Sequence, residues 1–282
     1  MNIQHIAFYR FVAIADPHRV VEQLKRAAQA LLGTVLVASE GINGTLAGAP
    51  GDLDAFELSL TQGVEFAGLF TGMRFQRTMC ARDPFAKLKI RVRPEIVDVG
   101  VPSFDANGEG IDVSPAEWDA LIEQEDVVLL DNRNHFEYTL GHFTGAIDPG
   151  VFNYRDFANY IEQNLPAWQK NGKRIAMYCT GGIRCEKTSQ WLAAQGVQAL
   201  QLQGGVLNYL RHKQSLKQSS PQTSNSQAWQ GDCFVFDNRM TLNSQLQEKA
   251  VDPAQVYTHE RDAWRLNRAR RLEGAVNTPP PD

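Results

Sequence analysis

The chain has 282 residues, 43% of them apolar, which is enough for two domains with a core each. A formal net charge of −4 excludes a surface that is basic throughout, and no apolar run approaches the roughly 18 residues of a membrane span. The four cysteines, at positions 80, 179, 185 and 233, form neither a Cys-x-x-Cys pair nor a regular disulfide frame, and the first residues read as a strand rather than a leader, so a reducing cytoplasm is the expected location.

Residues 6–14 predict an apolar strand. Asp16 is placed to cap a helix with Pro17 at its first position, and Val20, Val21, Leu24, Ala27, Ala28 and Leu31 form the buried stripe, with Gly33 as the stop. A strand at 34–38, a helix at 52–60 and strands at 73–80 and 87–92 follow. This alternation predicts a ferredoxin-like (acylphosphatase-like) α+β sandwich over residues 1–95. From Arg74 to Arg93 there are seven basic residues against one acidic residue, Asp83. Lys87, Lys89, Arg91 and Arg93 alternate with Leu88, Ile90 and Val92, which in a strand puts the cations on one face and the apolar residues on the other. That row fits either RNA phosphate or a merely solvated face.

After a connector at 96–113, Ser114-Pro115-Ala116-Glu117 has the form of a capping box and opens a second domain, 114–214. Strands at 127–130, 175–178 and 198–202 and helices at 154–163 and 186–194 give a βαβ progression, hence a parallel α/β sheet. Residues 215–228, rich in Ser, Gln and Asn, read as a flexible linker. In the extension, 229–282, Trp229, Phe234, Val235 and Phe236 are expected to pack onto the second domain, and Thr278-Pro279-Pro280-Pro281 to be disordered.

Cys179 opens the segment Cys179-Thr180-Gly181-Gly182-Ile183-Arg184 between a strand and a helix. The glycines allow successive N–H groups to turn inward, the helix N-terminus adds partial positive charge and Arg184 a full one, and all three favour thiolate over thiol. The four residues between Cys179 and Arg184 make a loop one residue shorter than the Cys-x5-Arg loops of tyrosine phosphatases. It resembles the loop of rhodaneses, which holds a cysteine persulfide. Asp131-Asn132-Arg133, then Glu137-Tyr138, then Gly141-His142 through Ala146, resembles the rhodanese signature as well.

A narrower resemblance rests on Glu40-Gly41-Ile42-Asn43-Gly44-Thr45, Phe85 to Lys89 with Pro94 to Val97, Cys179 to Lys187, and Gly231 to Asp237. Together these blocks resemble the rhodanese-like tRNA uridine 5-hydroxylases. The resemblance implies oxygen-dependent formation of 5-hydroxyuridine at the wobble position, with molecular oxygen as co-substrate and the tRNA anticodon arm as partner. Within it, Cys179 is the expected reactive group and Arg184 the holder of an anion, with Thr180, Gly181, Gly182 and Ile183 forming the anion-binding loop. Lys87, Lys89, Arg91 and Arg93 are the expected tRNA contacts. Arg133 either borders the active-site mouth or braces the loop, and Cys185 is either a resolving thiol or a packed, silent residue. Asp131 and His142 are expected to be structural. No facial triad, cysteine-rich metal motif or dinucleotide fingerprint is present, so no metal or organic cofactor is expected. Two rivals remain open: a sulfurtransferase fed by thiosulfate or a sulfur-donor protein, and a rhodanese module that binds RNA without catalysis.

Overall fold

The computed structural model describes residues 3–100, 110–219 and 228–276. The chain divides into two compact units at the junction of Val97 and Asp98.

In the first unit β1 (Ile3–Phe11) leads to α1 (Pro17–Ala27), β2 (Leu32–Ala38), β3 (Gly41–Gly48), α2 (Pro50–Gln62), β4 (Phe75–Cys80) and β5 (Leu88–Val92). Asp16 accepts from the Arg19 N–H at 3.0 Å, which fixes the start of α1 as its sequence predicts. The helix ends at Ala27, however, and Gly33 is not its stop. Gly33 lies inside β2 at φ +139°, where a Cβ would stand 2.1 Å from the Thr45 carbonyl oxygen. The sheet order is β4-β1-β3-β2-β5, antiparallel except for the β2–β5 pair. The first four strands and two helices make the ferredoxin-like sandwich, and β5 adds an edge. Its core joins Ile6, Phe8, Val35, Val37, Ile42 and Leu46 of the sheet to Leu24, Leu53, Phe56 and Leu60 of the helices.

β3 is absent from the sequence reading, because three of its eight residues are glycine. Gly44 is needed there, since a Cβ would stand 2.5 Å from the Phe8 ring, and the strand survives through two antiparallel partners. The block around it fastens the end of the unit: the Ile96 N–H donates to Glu40 Oε1 at 2.8 Å and Asn43 Nδ2 to the Ile96 carbonyl at 3.1 Å. In β5, Ile90 is buried with Leu88 and Val92 beside it, while Arg91 is exposed and Lys89 half-buried; Lys87 and Arg93 flank the strand in the open.

The second unit contains β6 (Ile111–Val113), α3 (Pro115–Ile122), β7 (Val127–Asp131), α4 (His135–Leu140), β8 (Gly141–Phe143), α5 (Phe157–Lys170), β9 (Arg174–Tyr178), α6 (Ile183–Ala193), β10 (Leu200–Leu202) and α7 (Gly205–Ser219). Glu117 accepts from both the N–H and the hydroxyl of Ser114, at 3.4 and 2.6 Å, and so caps α3. A parallel sheet runs β6-β10-β9-β7. β6 falls within the expected connector; at three residues it is too short to show an alternating pattern. α7 continues through Ser219, so residues 215–219 are helix and not linker, while 220–227 lie outside the described residues.

The extension supplies β11 (Trp229–Gly231), β12 (Cys233–Phe234), β13 (Thr241–Leu242), α8 (Pro253–Val256) and α9 (Ala263–Val276). β11 pairs with β8, setting Trp229 opposite Phe143, and Trp229, Cys233 and Val235 join the core of this unit. Phe234 packs edge-on against Phe136 at 4.9 Å. Phe236 departs from expectation: Phe234 and Val235 occupy the buried positions, and Phe236 is left 60% exposed. The Pro-rich end at 278–281 lies outside the described residues. Among the described residues no helix is long and apolar enough to cross a membrane.

Candidate active site

β9 delivers Cys179 at its carboxyl end, and Gly182, at φ +107°, turns the chain so that α6 begins at Ile183. The loop is fastened from outside as well. The N–H groups of Val206 and Leu207, in the first turn of α7, donate to the carbonyls of Cys179 and Thr180 at 2.9 and 3.1 Å. That approach requires Gly205, whose Cβ would stand 2.4 Å from the Cys179 carbonyl oxygen.

The Cys179 sulfur is fully buried. Burial alone would push the thiol up, but the Cys185 S–H donates to it, the Arg184 charge lies close by, and the backbone N–H groups of Cys185 and Gly182 point at it, the latter at 3.1 Å. Together they outweigh burial and lower Cys179 to about 5. Cys185 pays in the opposite sense: burial, then its donation to Cys179, push its own thiol well up. A proton therefore rests on Cys185 while Cys179 is anionic. Of the remaining loop residues, Thr180 Oγ1 donates to Glu137 Oε1 at 3.2 Å, while Gly181 and Ile183 are partly exposed and a Cβ on Gly181 would meet nothing within 4 Å.

Arg184 is held in a fork. Its two terminal nitrogens donate to the two oxygens of Glu137, each at 2.7 Å, and Nη2 also reaches Thr180 Oγ1 at 3.3 Å. Burial opposes the Glu137 charge, yet Arg184, then Arg133 and the Asn134 N–H, hold its carboxyl below the usual range. Sequence spacing pointed to Arg184 as an anion holder. The geometry shows a guanidinium bound to a carboxylate whose charge still bears on Cys179.

Arg133 is fully buried in a second fork. Nε and Nη2 donate to the Asp131 oxygens at 2.7 and 2.6 Å, and Nη2 also to the Gly141 carbonyl at 2.6 Å. Tyr178 donates its hydroxyl to the same Asp131 at 2.7 Å. Arg133 thus ties the end of β7 to the start of β8, and Tyr178 ties the same carboxylate to the end of β9. His142 lies against the Tyr138 ring at 4.1 Å, with Nδ1 3.0 Å from the Tyr138 carbonyl oxygen.

Four further residues surround the loop. Besides Glu137, Asn132 donates from Nδ2 to Thr188 Oγ1 at 3.0 Å and lies 3.9 Å from the Cys185 sulfur. The Tyr154 hydroxyl donates to the Arg184 carbonyl at 2.8 Å and is 2.8 Å from Thr188 Oγ1. Glu137 and Asn132 lie within the rhodanese-like motif; Tyr154 and Thr188 carry no sequence signal. The cation row Lys87, Lys89, Arg91 and Arg93 belongs to the first unit. Among the described residues no group of three or more His, Cys, Asp or Glu side chains is placed to hold a metal ion.

Residues 3–96 match the UPF0176 acylphosphatase like domain, and residues 114–212 the rhodanese-like domain. The chain is similar to proteins named tRNA uridine(34) hydroxylase in several bacteria. With that of Synechococcus elongatus it is 43% identical, covering 88% of this chain and 88% of the relative. With that of Bradyrhizobium diazoefficiens it is 41% identical, covering 87% and 94%. With that of Legionella pneumophila strain Paris it is 38% identical, covering 91% and 96%.

Proposed function

This chain belongs to the tRNA uridine(34) hydroxylase family, and we infer from that membership that it is an oxidoreductase that hydroxylates the wobble uridine of tRNA. The observation that carries the chemistry is the buried Cys179 sulfur, held as an anion by the Cys185 thiol, two backbone N–H groups and Arg184. Thiolate addition to C6 of uracil raises the electron density at C5, the carbon to be hydroxylated. Molecular oxygen is the co-substrate. One oxygen atom is placed on C5, and the other leaves as water with two electrons and two protons from a thiol reductant, which becomes its disulfide; loss of the C5 proton then expels Cys179 from C6, restoring the C5=C6 double bond and the thiolate. Arg184 and Glu137 keep the loop charged and rigid, the N–H groups of Thr180 to Ile183 line it, and Cys185 supplies the hydrogen bond that keeps Cys179 ionised.

Residues 1–95 dock the anticodon arm through Lys87, Lys89, Arg91 and Arg93, residues 114–214 carry the reaction, and the extension completes the second domain. The substrate places the reaction in the cytoplasm. Mass analysis of tRNA from a deletion strain tests the reading. Loss of the 5-hydroxyl, its return with the wild-type gene, and retention of heavy oxygen from labelled O2 are expected. A missing sulfur instead of a missing hydroxyl would replace hydroxylation by sulfur transfer. For the docking row, Lys89→Glu with Arg91→Glu should weaken tRNA binding and flatten its salt dependence; unchanged affinity across salt concentrations returns the row to a solvated face.

A further inference from the structure

The turn that follows β12 presents a bare aromatic ring beside the Cys179 loop. Phe236 is 60% exposed, and the Arg184 guanidinium carbon lies 5.6 Å from its ring centre. A single exposed apolar residue on a soluble protein normally needs no explanation. Phe236 differs in how firmly it is held and in what it stands next to. Its inner edge meets Phe234 at 5.0 Å and 85°, and Phe234 is itself anchored against Phe136. The turn beyond it is closed by the Val235 N–H donating to the Met240 carbonyl at 2.8 Å. Inside the turn, Arg239 and Asp237 form a fork at 2.8 and 2.6 Å that is 1% exposed on both sides. A buried ion pair in so short a turn fixes the backbone that carries the ring. The Tyr154 ring lies 6.0 Å from the same guanidinium carbon. The guanidinium thus has two rings within about 6 Å, one buried and one largely open to solvent.

We propose that Phe236 is the platform on which the pyrimidine ring of the target uridine stacks once it has left the anticodon stack. The proposal rests on the hydroxylase reading and adds the binding site for the base. A base that is to be attacked at C5 or C6 must be taken out of its stack, and a new stacking partner returns a comparable free energy. A phenyl ring does this without reading base identity, because every base has a π-face. Phe236 therefore positions the base and leaves the choice of tRNA to contacts elsewhere. The ring's place beside Arg184, a residue of the segment that Cys179 opens, brings the stacked base to the mouth of that loop, from which the buried sulfur is reached when the loop opens.

The test compares the full chain and its variants on two synthetic anticodon stem-loop RNAs, one with uridine at position 34 and one abasic there, at fixed salt. The wild type should prefer the uridine RNA by roughly 5- to 150-fold, the range of base–aromatic stacking. Phe236→Ala should erase the preference and leave affinity for the abasic RNA unchanged, whereas Phe236→Tyr should retain it. Because the ring is exposed, urea midpoints of both variants should match the wild type. A Phe236→Ala protein that keeps the full preference overturns the platform. Assay of 5-hydroxyuridine formation separates this from the parent reading: a wild type that binds with the uridine preference but forms no product refutes the hydroxylase and leaves the base site standing.

Discussion

Cys179 and Cys233 lie in the same unit, both at 0% exposure, and their thiols are driven in opposite directions. Cys233 is a core residue of the extension whose thiol faces the Phe234 carbonyl oxygen at 3.7 Å, and burial pushes it up to about 12. Cys179 feels the same desolvation and is nevertheless lowered to about 5, because the loop aims a thiol and two N–H groups at it and the Arg184 charge lies close by. Burial therefore does not by itself make a cysteine inert. In a low-dielectric interior each donor aimed at the sulfur counts for more than it would in water, so a buried cradle is the stronger one. What separates the two sites is the number of donors that the backbone directs at one atom.

The sharpest break between the two should appear in turnover. Cys179→Ser replaces the thiolate with a hydroxyl that stays protonated at neutral pH, and hydroxylation of tRNA should fall by at least about 10³-fold. Cys233→Ser should lose stability but keep turnover within about threefold, since Cys233 donates only to a neighbouring carbonyl. Product assay under saturating RNA checks both. Comparable losses for the two variants would mean that the cradle around Cys179 does no chemistry.

The next effect falls on the ion pair that gives the Cys179 loop its charge. Glu137→Gln removes the partner of Arg184 while the guanidinium stays 93% covered, its side chain being 7% exposed. Leaving one charge of a buried pair uncompensated costs about 3–5 kcal/mol, so urea unfolding should move to a markedly lower midpoint. An unchanged midpoint would show that the fork is solvated in solution and contributes little to the Cys179 environment.

Much of this organisation is legible in the sequence where a signal is local. Asp16 with Pro17, and Ser114 with Glu117, mark helix starts within three residues, and the spacing of Cys179, Gly182 and Arg184 encodes the loop. Signals that depend on distant partners are not legible as geometry. Glu137 meets Arg184 across 47 positions, and the sequence shows only that both occur in rhodanese-like motifs. β3 is hidden by its glycines and is stabilised only once β1 and β2 flank it. The end of α7 misleads for another reason. Ser215, Leu216, Lys217 and Gln218 give no amphipathic face, yet extending an existing helix costs far less than starting one, and Leu, Lys and Gln are good helix formers. Phe236 shows the limit for side chains: the cluster Phe234-Val235-Phe236 reads as uniformly apolar, and only the turn decides which ring remains outside.

The two cysteines should also give stability opposite pH slopes. Cys179 is depressed in the folded state relative to an ordinary thiol of about 8.5, so its contribution is fully present above that value and is lost as pH falls toward about 5. Cys233 is raised, so its contribution is present below about 8.5 and is lost as pH rises toward about 12. Urea unfolding between pH 5 and 9 should therefore rise more steeply with pH for the wild type than for Cys179→Ala, whereas Cys233→Ala should flatten only the decline above pH 9. Identical slopes for wild type and Cys179→Ala between pH 5 and 9 would contradict a buried thiolate.

The smallest effect isolates the one donor that distinguishes this loop from a cradle made of backbone alone. Cys185 is itself buried, and its proton is directed at Cys179, so Cys185→Ala removes a hydrogen bond to an anion without adding a charge or exposing the site. Hydrogen bonds to charged groups contribute about 1.5–3 kcal/mol, and losing one should raise the Cys179 midpoint far enough to slow its alkylation at pH 6 by roughly two- to fifteenfold. Rates must be compared with those at pH 9, where both proteins are fully ionised, because Cys179 is reached only when the loop opens and a change in opening would slow both measurements equally. A slowing at pH 6 that vanishes at pH 9 identifies a lost donor. Equal slowing at both values would instead assign Cys185 to packing, and would leave Arg184 and the N–H groups of the loop to account for the thiolate.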